Sequence, residues 1–267
     1  MGLYEDEALQ PGSPDPGPDR RRRRLLGWVA QHPRASKYVA ALVLLGGSAV
    51  ALVSSTTNWN PSTNGLPPNQ AGYLWCCGAS QVAATWEVPQ LMPASVQSAE
   101  GVWIGLQTNS GSFFLQVGTQ DNETDFSPQY EGFWSNGPLH GAPMNLGDVH
   151  PGDVVHAVLD LSGSSQWSIT FSDQTQHWSH TRVVSYAAPY AHALAEWIEE
   201  DPAEVVPFQK AQLFVMAKTH GTHMSNLRVN GEPPGLFDLQ PESFVDGSHT
   251  NFSPSAVAHD SFRFIPW

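Results

Sequence analysis

From residue 71 onward apolar and polar positions alternate with a period of two, the spacing at which side chains of an extended strand share a face. Val82, Ala84, Trp86 and Val88 line one face of QVAATWEVP, and Trp167, Ile169 and Phe171 alternate with Ser168 and Thr170 in QWSITF. GDVVHAVLDL (152–161) and SFRFIPW (261–267) follow the same rule. No long stretch repeats with the helical period. The 23 Gly and 22 Pro punctuate the chain at short intervals, which suits many short strands joined by turns. About two hundred residues of this kind predict an all-β domain, a single sandwich or barrel.

One segment breaks the alternation. YVAALVLLGGSAVALVSS, residues 38–55, is eighteen residues without a charge, the lower limit for crossing a bilayer as a helix. It comes after a Pro-rich, polar tail that ends in a five-arginine run, Arg20 to Arg24, with Arg34 and Lys37 closer in. Positive charge before an apolar span keeps that side cytoplasmic and sends the downstream chain outside. The expected organisation is a disordered cytoplasmic tail over 1–37, a transmembrane signal-anchor over 38–55, a polar linker over 56–68 and a β domain over 69–267. The apolar run also reads as the h-region of a long signal peptide cut near Ala49 and Ala51, which would release the domain.

Charge sharpens this division. The whole chain has a formal charge of −13, but residues 1–55 hold seven of the 12 basic residues and only five of the 25 acidic ones. Residues 56–267 therefore carry five basic and 20 acidic residues, a net of −15. Such a domain has no basic face with which to displace counterions from nucleic acid. Only 14% of residues are charged, well below the usual quarter, so Ser, Thr, Asn and Gln must cover the surface. Self-repulsion among the carboxylates predicts a domain more stable in mild acid than at neutral pH.

The candidate chemistry begins with exclusions. There is no Gly-x-Ser-x-Gly elbow, no His-Glu-x-x-His, and neither Asp-Thr-Gly nor Asp-Ser-Gly, which removes the common serine, zinc and aspartic peptidase frames. His177/His180 and His220/His223 are spaced i, i+3, which places each pair on opposite faces of an extended segment, so no metal site is expected. Cys76 and Cys77 are adjacent, with Cα atoms about 3.8 Å apart, shorter than an ordinary disulfide span. Two structural thiols are expected, a vicinal disulfide being the other reading.

Four segments taken in order resemble the glutamic peptidases, or eqolisins, once called pepstatin-insensitive acid carboxyl peptidases. They are AATWEVP (83–89), VWIGLQ (102–107) with FFLQVGTQ (113–120), YEGFW (130–134), and ALAEWIEEDP (193–202) leading to VVPF (205–208). HPGDVV, SITFSDQTQHW and SPSAVAHDSFRF support the match, which covers 69–267. The resemblance implies a concave, concanavalin-like sandwich of two antiparallel sheets with a Gln and Glu dyad and no cofactor. Carried over by position, the dyad is Gln116 and Glu200, with Glu131, Phe133, Trp103 and Glu196 as substrate-binding residues. Strand parity puts Phe114, Gln116 and Gly118 on one face of their strand and Glu196, Ile198 and Glu200 on one face of theirs. Glu199 then lies opposite, beside Trp197, as a solvent or supporting carboxylate.

These residue types suit peptide hydrolysis. A carboxylate can deprotonate an attacking water and then protonate the leaving amine, while a neutral amide donates to the oxyanion without titrating. The implied partner is a protein or peptide substrate, cleaved outside the cell in acid. Three positions depart from the family pattern: Gln70 replaces a Trp, Gln107 an Asp and Ser135 a Glu, so two carboxylates near the dyad are missing. A non-cleaving module that holds cell-wall glycan or peptide, with Trp103, Trp134, Trp178 and Trp197 as stacking surfaces, is the alternative.

Overall fold

The structure is a computed structural model that describes residues 70–76, 78–94, 98–108, 114–124, 127–136, 143–163, 165–185, 193–204, 212–213, 215–235, 239–243 and 252–266. The chain divides into two units, Met1–Ala49 and Val50–Trp267, and every described residue lies in the second. The expected tail, apolar span and linker fall outside the described residues. Among those described, no helix is long and apolar enough to cross a membrane.

The strands in chain order begin with β1 (Gln70–Trp75), β2 (Gln81–Glu87), β3 (Ser98–Thr108), β4 (Phe114–Thr124), β5 (Ser127–Asn136) and β6 (Met144–Asp148). Next come β7 (Val154–Leu161), β8 (Gln166–Asp173), β9 (Trp178–Ser185) and β10 (Ala193–Glu200). Short strands complete the set: β11 (Ala203–Glu204), β12 (Gln212–Leu213), β13 (Val215–Met216), β14 (His223–Val229), β15 (Leu239–Glu242), β16 (Phe252–Pro254) and β17 (Phe262–Pro266). Fifteen of them form an eight-stranded sheet in the order β15-β1-β10-β3-β4-β5-β6, with β13 beside β3, and a seven-stranded sheet in the order β16-β17-β14-β2-β7-β8-β9, while β11 and β12 pair with each other. Neighbours run antiparallel except β13 and β3. The all-β expectation holds.

The alternating residues build the core between the two sheets. Val82, Ala84 and Trp86 of β2, Val155, Ala157 and Leu159 of β7, and Trp167, Ile169 and Phe171 of β8 meet Val102, Ile104 and Leu106 of β3, Leu115 and Val117 of β4, and Trp197 of β10. Burying each of the larger side chains contributes roughly 1.5–3 kcal/mol. Two tryptophans also tie sheet to sheet: Trp197 Nε1 donates to the Ala83 carbonyl at 3.0 Å and Trp86 Nε1 to Thr119 Oγ1 at 3.1 Å. An indole can be buried in this way because its one donor is satisfied.

β10 departs from simple alternation. Its residues 193–199 are all buried, whichever face they point to, because it is a central strand covered on both sides. Glu199 is therefore not a solvent carboxylate. It is 1% exposed and lies between the sheets with Glu100 and Asp121, at 0% and 1%; Glu100 of β3 and Asp121 of β4 are paired directly across their strands. Burial raises all three carboxyls, Glu100 to about 7 and Asp121 and Glu199 well above their ordinary values, and repulsion from Glu100 adds to the rise in Asp121 and Glu199. The expectation of free thiols is also corrected: Cys76 is disulfide-bonded, while Cys77, the chain's other cysteine, lies outside the described residues.

Candidate active site

The opposite face of the eight-stranded sheet carries the candidate chemistry, and cross-strand register arranges it in three rows. The first runs Leu74–Glu196–Gly105–Gln116–Ser135, from β1 to β5. Four residues along the strands, another runs Gln70–Glu200–Gly101–Gln120–Glu131–Asp148. Between them lies Gly72–Ile198–Trp103–Gly118–Phe133. Trp103, Phe133 and Ile198 form a small apolar cluster of their own, with Phe114 packed on it. Trp103 and Phe114 meet edge to face at 5.7 Å.

This register separates one pair that sequence parity joins. Gln116 and Glu200 share a face but lie two strands and four residues apart, roughly 16 Å between Cα atoms at ordinary sheet spacings. Gln116 stands instead in one row with Glu196, about 10 Å away across β3, and the residue between them is Gly105. A Cβ on Gly105 would lie 3.2 Å from Glu196 Oε2 and 2.7 Å from Trp103 Cζ3. The missing side chain leaves a gap against which the Glu196 carboxylate and the indole edge stand, and Gln116 is the residue paired with that glycine on the next strand. Glu196 is 1% exposed and its Oε1 has no partner among the described residues. Burial, reinforced by the charge of Glu200, pushes its carboxyl up to about 8.

Glu200 has a different environment. Its Oε2 accepts hydrogen bonds from Gln70 Nε2 at 2.6 Å and Trp103 Nε1 at 2.9 Å. Burial raises it to about 7, and those two bonds hold it from rising further. Gln70 thus supplies an amide donor to this carboxylate.

The remaining expected residues divide into floor and rim. Trp103 and Phe133 are buried in the floor. Glu131 is half-buried, accepts a hydrogen bond from Asn145 Nδ2, and is raised by burial and by the nearby Asp148 despite that bond. Ser135, a neutral residue, flanks Gln116 on β5. The proposed stacking surface is not formed: Trp103, Trp134 and Trp197 are buried, and Trp178 packs half-buried against Phe171 and His180. His177 occupies a turn with φ 59° and His180 an exposed strand.

The pairing of Gln116 with Glu196 is not legible from parity, since Glu196 and Glu200 share it. Register makes the choice, since Glu196 and not Glu200 stands in the row of Gln116.

The two-sheet β fold thus sets an acid, a glycine and an amide in one cross-strand row. The model of the Peptidase A4 family matches residues 34–251, and the chain belongs to that family. In fold it is similar to Scytalido-glutamic peptidase, solved with a peptide-based transition state analog, at TM-score 0.63 and 18% identity over 74% of this chain and 97% of that one. SCP-B, a member of the Eqolisin family solved with the tripeptide Ala-Ile-His, gives 0.59 and 17% over 74% and 97%. Aspergilloglutamic peptidase from Aspergillus niger gives 0.50 and 19% over 63% and 98%. No curated protein matches the chain.

Proposed function

We propose that this chain is a glutamic-type endopeptidase in which Gln116 and Glu196 act across Gly105. Ionised Glu196 takes a proton from a water as the water attacks the scissile carbonyl. The Gln116 amide orients that water and donates N–H to the oxyanion, which one such donor stabilises by roughly 3–4 kcal/mol. Glu196 then returns the proton to the leaving amine. The observation that carries this reading is the row Glu196–Gly105–Gln116, with Glu196 Oε2 leaning over the glycine. Glu200, sixteen or so ångströms from Gln116 at ordinary sheet spacings and held by two donors, is not assigned the base.

Burial of Glu196 also bears on the working pH. A base whose carboxyl is raised is scarce as carboxylate in strong acid, so the rate climbs through mild acid toward neutrality. The disulfide at Cys76 and the arginine-flanked apolar run at 38–55 support a domain held outside the cell on an N-terminal anchor, where disulfides persist. The test is digestion of an unfolded protein by the full-length chain and by its Glu196→Gln variant across pH 3–8. Cleavage by the first and none by the second is expected. Equal cleavage by both would remove Glu196 from the mechanism.

A further inference from the structure

Resting on the Gln116–Glu196 dyad, we propose that Glu200 is a positioning residue: with Gln70 it anchors the Trp103 indole beneath the Gln116–Glu196 gap and governs when Glu196 carries charge.

The geometry begins with the glycines on either side of Trp103. A Cβ on Gly101 would lie 3.7 Å from both Trp103 Cδ1 and Glu200 Cγ, whereas one on Gly105 would lie 2.7 Å from Trp103 Cζ3. The indole therefore lies lengthwise along its own strand. Its pyrrole edge reaches the Glu200 row and its benzo edge reaches the Glu196 row. Gly118, whose Cβ would fall 2.5 Å from Trp103 Cβ, lets its strand pack against the root of this side chain. Nε1 at the pyrrole end donates to Glu200 Oε2. That bond fixes the ring's rotation, and so fixes where the benzo edge stands against Glu196 Oε2. Gln70, paired with Glu200 across β1 and β10, donates to the same oxygen and holds the carboxylate on the indole.

The electrostatic side depends on what else faces Glu196. On that face β1 presents Gln70, Gly72 and Leu74, β3 presents Gly101, Trp103 and Gly105, and β4 presents Phe114, Gln116, Gly118 and Gln120, none of them titratable. Glu100, Asp121 and Glu199 point the other way, between the sheets. Glu242 of β15, opposite Gly72, stands in the middle row two strands from Glu196, and Glu131 of β5, with Asp148 beyond it, stands in the other row, further across the sheet. Glu200, on the same strand and face, is the charge whose repulsion adds to burial in raising the Glu196 carboxyl. In a buried setting such repulsion persists at physiological salt.

The experiment measures kcat/KM against pH for the full-length wild type and its Glu200→Gln, Gln70→Leu and Glu196→Gln variants. Glu200→Gln keeps an acceptor for the indole N–H but removes the charge. It should stay active, with the acidic limb moved down by about one pH unit, a gain of about tenfold at a fixed pH on the limb. Gln70→Leu favours neutral Glu200, so its limb should move the same way by less, and it decides the matter if Glu200→Gln does not fold. An active Glu200→Gln variant with an unmoved limb overturns the positioning role while an inactive Glu196→Gln leaves the proposed dyad standing. An inactive Glu200→Gln at every pH, with Glu196→Gln active, would overturn both.

Discussion

Glu100, Asp121 and Glu199 sit together between the sheets with no ion-pair partner among the described residues, and this makes a strong prediction about stability. A carboxyl raised in the folded state is protonated in both states below its unfolded value near 4.5, where it costs nothing. As pH rises through its folded value, the native state must either keep a proton the unfolded chain has lost or bury a charge. Glu100 alone, carried from 4.5 to about 7, gives up about 3 kcal/mol over that interval. Asp121 and Glu199 are also raised by burial and act in the same direction. Against a total of roughly 5–15 kcal/mol, that is a large fraction. Thermal melts followed by circular dichroism at pH 4, 5.5, 7 and 8 should show Tm falling throughout. Glu100→Gln, neutral at every pH, should recover about 6–12 °C at pH 8 and change little at pH 4. A Tm that is flat or rises from pH 4 to 8, or a variant with the wild-type slope, would refute the reasoning. Combined with a base that must ionise, the cluster predicts a bounded working range: activity limited by Glu196 protonation at low pH and by loss of the fold above it.

The same geometry predicts three other outcomes. A Cβ on Gly118 would lie 2.2 Å from the Val102 carbonyl oxygen, backbone that cannot yield, so Gly118→Ala should cost at least the upper part of the roughly 1–3 kcal/mol of overpacking in urea denaturation. Gly105→Ala pushes on the indole edge and on Glu196 Oε2, and should lower kcat/KM at least about tenfold while KM changes little. Trp197→Phe removes the donor to the Ala83 carbonyl and opens space between the sheets, for a loss of about 2–4 kcal/mol by the same denaturation.

Much of the fold was legible because period-two alternation is a direct consequence of strand geometry. Val82, Ala84, Trp86, Trp167, Ile169 and Phe171 are all core residues, as their spacing required. Parity also placed Gln116 with Gly118, and Glu196 with Glu200, each pair on one face of its own strand. It could not choose between Glu196 and Glu200, which differ by four residues and share that parity. Only register distinguishes them, and register is set by turns and bulges between strands distant in sequence. The same limit hid the carboxyl cluster: Glu100, Asp121 and Glu199 come from three strands and form no motif. Alternation assigns Glu199 to solvent or a supporting place because it presumes one wet face, and a central strand covered on both sides has none. The glycines tell the complementary story, since Gly101, Gly105 and Gly118 are gaps whose purpose appears only once Trp103 is seen lying among them.

The central claim is that Gln116 and Glu196 form a single hydrolytic unit across Gly105, and a double-mutant cycle on kcat/KM for a peptide substrate tests it most directly. Groups that act together lose their joint effect once either is gone. Gln116→Ala should lower kcat/KM by about 10²–10³, Glu196→Gln should lower it at least as far, and the double variant should be no worse than Glu196→Gln alone. Losses that multiply, or a Glu196→Gln enzyme as active as the wild type, would contradict the account.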